Sequence, residues 1–289
     1  MITKPNVKIN LGLNVIRKRE DGFHDLETLF VPYFGISDTL EIITGDDYSH
    51  TSAAMFAKYA PEMLSQGISE DGKLMITIAR EEGVDWDPLK DLCAKAYYIL
   101  AEDHQLPPVK IFLEKTSPVG AGLGGGSSDA AFALKIMNEL FALGLSEDQL
   151  ASYASRLGSD CAFFIYNRPM IGEGRGEILT PYPLEGLDYG QEATSASRYD
   201  LQVLTPEGVA VSTADAYRGI KPHLPEVPLR EALAKLVEQW QDVLFNDFEE
   251  TVFAKYPELA AIKKSLYDSG AVYACMSGSG SALFALYEK

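Results

Sequence analysis

Between Pro118 and Ala131 the chain reads Pro-Val-Gly-Ala-Gly-Leu-Gly-Gly-Gly-Ser-Ser-Asp-Ala-Ala, with five glycines in the seven positions 120–126. Glycine lets backbone N–H groups turn toward a ligand where a side chain would block them, and Ser127 and Ser128 stand where a helix N-cap belongs. Apolar residues at Ala133, Leu134, Met137, Leu140 and Phe141 predict a helix over 129–143. Its open N–H groups and the positive end of its dipole face the loop, an arrangement suited to a phosphate. A flexible linker would lie in low-complexity sequence, whereas here the alternating strand pattern Val109–Leu113 precedes the loop and a helix follows it. The Lys-Ser/Thr ending of a P-loop is missing, as is a convincing Gly-x-Gly-x-x-Gly unit with its downstream acid, so phosphate binding is expected outside the two commonest nucleotide folds.

Four further segments carry chemistry. Lys8-Ile9-Asn10-Leu11-Gly12-Leu13 alternates polar and apolar residues, which places Lys8 and Asn10 on one face of a strand. A lysine on an edge strand is ordinarily only solvated, but Asp21-Gly22-Phe23-His24 follows after a turn and sets an aromatic ring beside an imidazole, a pair suited to stacking on a flat ring and bonding its edge. Asp160 precedes the apolar run Cys161-Ala162-Phe163-Phe164, where a carboxylate either caps an element or acts as a base near a cation. Met276-Ser277-Gly278-Ser279-Gly280-Ser281 is a second small-residue loop, fit either for tight packing or for backbone approach to a phosphate.

The elements that must position these residues are legible in outline. Strands are expected at 7–15, 26–34, 39–43, 73–80, 178–179, 201–204, 271–276 and 282–287, and helices at 53–64, 91–102, 229–243 and 259–269. Ser146 and Gln149 form a capping box for a helix that ends at Gly158. The pattern changes near residue 166, which divides the chain into expected domains 1–165 and 166–289; 188–200 reads as a polar surface insert.

Composition bounds the partners. A formal charge of −17, with no basic run longer than Arg17-Lys18-Arg19, argues against nucleic acid or an anionic membrane surface, so a phosphorylated ligand must meet local cations. With 46% hydrophobic and 23% charged residues the chain has the balance of a soluble globular protein. Cys93, Cys161 and Cys275 are far apart and without metal-type spacing, which fits reduced thiols and a cytoplasmic location. No apolar run reaches the roughly 18 residues of a membrane span.

Taken together, Lys8-Ile9-Asn10-Leu11, Arg19-Glu20-Asp21-Gly22-Phe23-His24, the loop 118–131, Gly158-Ser159-Asp160, Glu173-Gly174-Arg175-Gly176-Glu177 and Met276–Gly280 resemble the GHMP kinase superfamily, in the family's order and over essentially the whole chain. The resemblance implies a two-domain α+β fold: an N-terminal ATP-binding and catalytic domain like the ribosomal S5 domain 2 and a ferredoxin-like, helix-over-sheet C-terminal domain that helps bind substrate. It implies ATP and Mg²⁺ as cofactors and transfer of the γ-phosphoryl group to an alcohol. The branch it is most like acts on the 2-hydroxyl of a methylerythritol unit linked to cytidine diphosphate, a step of non-mevalonate isoprenoid biosynthesis. In that reading Asp160 takes the hydroxyl proton and Lys8 orients the hydroxyl and keeps Asp160 ionised. Asn10, Phe23, His24, Arg175 and Tyr217 hold the substrate, with cytosine between Phe23 and Tyr217 and the pocket spanning the two domains. Asp91, Leu92, Lys115, Pro118, Gly120, Gly122, Leu123, Gly124, Gly125, Gly126, Ser127 and Ser128 match the ATP side. Phe23 stands where tyrosine is common and Asp91 where asparagine is usual, and Ala162 replaces a frequent proline. Gly125 and Gly126 stand where the wider superfamily often has serines, one a magnesium ligand, so the metal ligands stay open. A monomer or weak homodimer is expected. The other readings are a different small-molecule kinase of the superfamily and an inactive phosphate-binding regulator; retention of both Lys8 and Asp160 speaks against the latter.

Overall fold

The computed structural model describes residues 1–45, 47–190 and 197–289; positions 191–196 of the expected insert lie outside the described residues. The chain opens with strands β1 (Ile2–Thr3), β2 (Asn6–Lys18), β3 (His24–Ser37) and β4 (Thr39–Thr44), then helix α1 (His50–Lys58) and strands β5 (Leu64–Ile68) and β6 (Leu74–Arg80). Helix α2 (Leu92–Ala101), strand β7 (Val109–Lys115) and helices α3 (Gly125–Leu140), α4 (Glu147–Leu157) and α5 (Cys161–Tyr166) follow. The last part holds strands β8 (Met170–Gly174), β9 (Ile178–Pro181), β10 (Leu187–Asp188) and β11 (Tyr199–Leu204), helices α6 (Thr213–Arg218), α7 (Leu229–Leu233), α8 (Phe248–Lys255) and α9 (Pro257–Asp268), and strands β12 (Tyr273–Met276) and β13 (Leu283–Glu288).

These elements form two compact units that interleave along the chain. The first comprises Met1–Val7, Ile36–Ser117 and Gly125–Asn167; the second comprises Lys8–Gly35, Pro118–Gly124 and Arg168–Lys289. In the first, a five-stranded sheet runs β1-β4-β7-β6-β5, with β6 and β7 parallel and the other pairs antiparallel. Ile43, Met55, Tyr59, Ala79 and Phe112 pack α1 against this sheet, and α2, α3, α4 and α5 pack on one another. In the second unit, one four-stranded sheet runs β2-β3-β8-β9 and another runs β10-β11-β13-β12. Leu13, Val15, Val211, Phe248, Val252, Leu259, Met276 and Leu283 form its core.

Local chemistry explains most boundaries. The capping box is present: Ser146 Oγ accepts from Gln149 N (3.3 Å) and Gln149 Oε1 accepts from Ser146 N (2.9 Å). The expected helix over 53–64 is shorter, because Pro61 has no N–H to continue it; a 3-10 turn and β5 follow instead, the latter hidden in sequence by Gln66-Gly67. The expected helix over 229–243 breaks into α7 and a 3-10 turn at Val237–Asp242, where buried Trp240 donates its indole N–H to Lys235 O (3.1 Å). Strand β8 and helices α6 and α8 were not anticipated, since each is short and its apolar spacing is incomplete.

One buried side chain ties the second unit's segments together. Asn246 Nδ2 donates to Met276 O (2.7 Å) and Gly278 O (2.8 Å), and its Oδ1 accepts from Phe248 N (3.0 Å). Replacing Asn246 by Ala removes three hydrogen bonds and strands buried backbone groups, so urea unfolding should show a loss of about 2 to 4 kcal/mol. A loss below about 0.5 kcal/mol would show that the small-residue loop holds its shape without this residue.

Candidate active site

Within the second unit, Lys8 is held by the glycine loop. Lys8 N donates to Leu123 O (2.9 Å), and Lys8 Nζ donates to Asn10 Oδ1 (2.5 Å) and Gly122 O (2.9 Å). The Phe30 ring centroid lies 5.6 Å from the ammonium. Asn10 cannot turn its amide over: Nδ2 donates to Thr28 Oγ1 (3.1 Å), whose hydroxyl donates to Gly12 O (2.5 Å), so the amide oxygen faces Lys8. Both Lys8 and Asn10 are buried, because every residue of β2 from Asn6 to Val15 is covered although the strand is at a sheet edge. Lys8 is therefore not a solvated edge lysine.

The two small-residue loops back onto each other in the same unit. Ser277 Oγ donates to Gly122 O (3.1 Å) and accepts from Asn10 N (3.3 Å), while Ala282 N donates to Ala121 O (3.1 Å). A Cβ on Gly122 would stand 2.2 Å from Ser277 O, and one on Gly278 3.0 Å from Gly122 O. Gly120, Gly122 and Gly124 have φ of +74°, +79° and +71°, left-handed values that favour glycine at each of the three positions.

His24 of the expected N-terminal domain and Tyr217 of the expected C-terminal one lie together in this unit, because β2 and β3 belong with the C-terminal segments. Tyr217 stacks on His24 with ring centroids 4.8 Å apart and planes at 26°, and meets Phe248 edge-on at 4.7 Å. The Arg175 guanidinium lies over the Phe23 ring, 4.9 Å from its centroid. Phe23, 54% exposed, and Tyr217 thus each have their own partner instead of framing an open slot. Burial and the charge of Lys18 hold the His24 imidazole below its ordinary pKa.

The remaining expected residues belong to the first unit. Helix α3 begins at Gly125, four residues before the expected start, because Gly125 and Gly126 continue as helix where the preceding glycines are left-handed. Ser127 and Ser128 consequently lie in its first turn and not at the N-cap. Leu92 reaches this turn, with its Cδ1 4.0 Å from the position of a Cβ on Gly126. Asp91 caps α2: its two oxygens accept from Cys93 N (2.8 Å) and Trp86 Nε1 (3.1 Å), a full structural role that the sequence assigned to the adenine side. Asp160 precedes α5 and makes no side-chain cap to it. A Cβ on Gly158 would lie 3.3 Å from Cys161 Sγ and 3.9 Å from Ser127 Oγ, so the Gly158–Asp160 turn sits beside the first turn of α3. Burial pushes the Cys161 thiol up to about 12, which leaves it inert.

Lys115 departs from its expected role. Its ammonium donates to Asp38 Oδ2 (2.5 Å), Asp129 Oδ2 (2.6 Å) and Ser117 Oγ (3.2 Å), and all four residues are buried. Those three bonds use its three donors, so the side chain serves the frame of the site and not a phosphate. Burial raises the Asp38 carboxyl, but Lys115 and the bonds from Ser117 outweigh it and hold Asp38 below the usual range. At Asp129 burial wins, with Asp38 adding to it, and the carboxyl is raised. Asp38, Ser117, Thr28 and Asn246 were missed in the sequence, since none belongs to a motif and only pairing in space gives them a role.

Residues 91–168 match the family model of the GHMP kinases N terminal domain, and residues 229–289 that of GHMP kinases C terminal. A 4-diphosphocytidyl-2-C-methyl-D-erythritol kinase of Bacteroides fragilis is 45% identical over 287 residues, which cover 99% of this chain and 92% of that protein. The chain belongs to the GHMP kinase family. A protein of the same name from Porphyromonas gingivalis is 38% identical over 100% of this chain and 93% of its own length. The crystal structure of a 4-(cytidine 5'-diphospho)-2C-methyl-D-erythritol kinase superimposes with a TM-score of 0.73 at 30% identity, covering 99% of this chain and 90% of that one. A homoserine kinase from Cytophaga hutchinsonii, with a TM-score of 0.63 at 17% identity over 99% and 86%, shares the fold. The α+β architecture expected from the sequence is the GHMP kinase fold. Among the described residues no helix is long and apolar enough to cross a membrane.

The loop contact in this GHMP kinase is testable by comparing two glycines. Gly122→Ala adds a methyl group against Ser277 O at a left-handed position and should cost about 3 to 5 kcal/mol. Gly120→Ala, left-handed but with nothing within 4 Å of the new Cβ, should cost only about 1 to 2 kcal/mol in the same denaturation experiment. Equal losses would mean that the loops do not bear on each other.

Proposed function

We propose that this GHMP kinase phosphorylates the 2-hydroxyl of 4-diphosphocytidyl-2-C-methyl-D-erythritol with ATP, in non-mevalonate isoprenoid biosynthesis. The observation that carries this reading is the likeness along the full chain, at 45% identity, to a protein of that name. In the reaction the substrate hydroxyl oxygen attacks the γ-phosphorus, the bond to the β-phosphate oxygen breaks, and ADP leaves. Asp160 accepts the hydroxyl proton, and Lys8, its orientation fixed by Asn10 and Gly122 O, neutralises charge beside it. Alignment and charge neutralisation do most of the work in phosphoryl transfer, so a modest base suffices.

Pro118, Gly120, Gly122, Leu123 and Gly124 supply backbone to the phosphates, and Gly125 to Ser128 supply the open end of α3. Leu92 packs on the nucleotide. Phe23, His24 and Tyr217 take cytosine, which requires the Arg175 guanidinium to leave the face of Phe23 and the His24 ring to leave the face of Tyr217 and turn to the edge of the base. Among the described residues no three carboxylate, imidazole or thiol side chains form a metal cluster. The fully buried Ser128 is out of reach, leaving Ser127 and Asp160 as single oxygen donors. That set fits Mg²⁺, which keeps water and phosphate oxygens around it and would supply charge neutralisation on the transferring group. Residues 1–165 form the ATP-binding and catalytic domain in sequence and 166–289 the domain completing the substrate site. The protein acts in the cytoplasm as a monomer or weak homodimer, on a small molecule and not on nucleic acid or membrane.

Ligand linkage decides the substrate class. Saturating cytidine diphosphate should raise the melting temperature, while mevalonate, homoserine and galactose should leave it unchanged; a shift from one of the latter and none from cytidine diphosphate moves the chain to another branch of the family. Asp160→Asn should lower turnover on the order of 100-fold or more, with ATP affinity retained. Near-normal turnover in that variant removes the base assignment.

A further inference from the structure

The seven residues Pro118–Gly124 hang between Ser117 and Gly125, and both of these anchor points are built into one buried charge cluster of the first unit. Asp38 is its hub. Lying in the single-residue joint between β3 and β4 and 1% exposed, it directs Oδ1 at two backbone donors, Thr116 N (2.7 Å) and Ser117 N (2.7 Å). Its Oδ2 accepts from Ser117 Oγ (2.6 Å) and Lys115 Nζ (2.5 Å). Lys115 in turn reaches Asp129 in the second turn of α3. On the other side of the loop, a Cβ on Gly125 would lie 2.4 Å from Ser117 Oγ and 3.4 Å from Lys115 Nζ, so the first residue of α3 is pressed against the last residue before the loop.

We propose that Asp38 is a positioning residue for the phosphoryl donor: it closes the stem of the glycine loop and fixes where the first turn of α3 points. This rests on the nucleotide site proposed above. A loop with pinned ends has fewer conformations to lose when its N–H groups settle on a phosphate, so the binding geometry exists before the ligand arrives. The carboxylate is specifically required. Asn at this position keeps one acceptor for the two backbone N–H groups but turns an NH₂ toward the Lys115 ammonium, which has only donors to offer, and takes away the acceptor of the Ser117 hydroxyl. Asp38 touches neither substrate in this reading and acts through Lys115 and Ser117.

The test compares the full-length wild type with Asp38→Asn and Ser117→Ala, each checked for folding by circular dichroism, in steady-state kinetics with both substrates varied. The expected result for Asp38→Asn is a KM for ATP raised at least tenfold, with the KM for the cytidine substrate within twofold; for Ser117→Ala, a KM for ATP raised at least threefold. A merely structural role lowers kcat through loss of folded enzyme and leaves both KM values in place, and that outcome overturns the proposal. If Asp38→Asn does not fold, Ser117→Ala alone decides, and an unchanged KM for ATP in that folded variant overturns it. Calorimetry separates this from the underlying reading: wild type that fails to bind ATP removes the nucleotide site itself, whereas wild type that binds ATP beside indifferent variants removes only the role of Asp38.

Discussion

The contact between Gly122 and Ser277 is the constraint on which the second unit depends. Two chain segments 155 residues apart approach so closely that a Cβ on Gly122 would stand 2.2 Å from Ser277 O and one on Gly278 3.0 Å from Gly122 O. The Gly122 carbonyl receives both the Lys8 ammonium and the Ser277 hydroxyl, and the same hydroxyl accepts from Asn10 N. One carbonyl oxygen and one serine thereby set the position of a buried cation, its amide partner and the apex of the glycine loop. Asn246 holds the far side of that serine's loop through Met276 O and Gly278 O. A carbonyl with two donors in a dry setting is well satisfied, whereas a cation left there without acceptors would be costly to bury.

The first unit solves a comparable problem with charge. A single ammonium lies between two carboxylates that burial alone would protonate, and the asymmetry between them follows from neighbours: Asp38 has four donors, whereas Asp129 Oδ1 has no hydrogen-bond partner. Such a cluster adds little to stability compared with an apolar core of the same volume, but it specifies one geometry, since each donor has only one acceptor to meet.

Much of this was legible in sequence where the signal is local. Alternation exposed β2, β3, β4, β6 and β7 to within a few residues, and the Ser146–Gln149 box marked the start of α4. The glycine loop was legible as an anion site because its residue types state their backbone requirement directly. What escaped depends on pairing across long separations. Lys115 looked like a ligand cation because nothing near it in sequence predicts Asp38, 77 positions earlier. Asp91 looked like part of a nucleotide site, although Asp followed by a helical run is also a cap. The boundary near 166 coincides with one change of unit, at Asn167–Arg168, but the exchanges at residues 7 and 35 leave no mark in composition, since both fall inside regular strands, and those at 117 and 124 bracket the glycine loop without reading as a boundary.

That interleaving has a consequence for the birth of the molecule. On a ribosome the chain emerges N-terminus first, at about 5 to 20 residues per second, so the apolar strand β2 appears long before β8, β12, β13 and the loop at 276–281 exist. The strand pairing of β3 with β8 joins Leu26 to Gly174, and the contact of Asn10 with Ser277 must await a residue 267 positions later. Until those segments are made, β2 has β3 as its strand partner but lacks the loop at 276–281 that meets Asn10. Contacts so distant in sequence make folding slow and expose such a segment to mispairing. The same wiring means that the second unit becomes a folded object only after β12, β13 and the loop between them have been made.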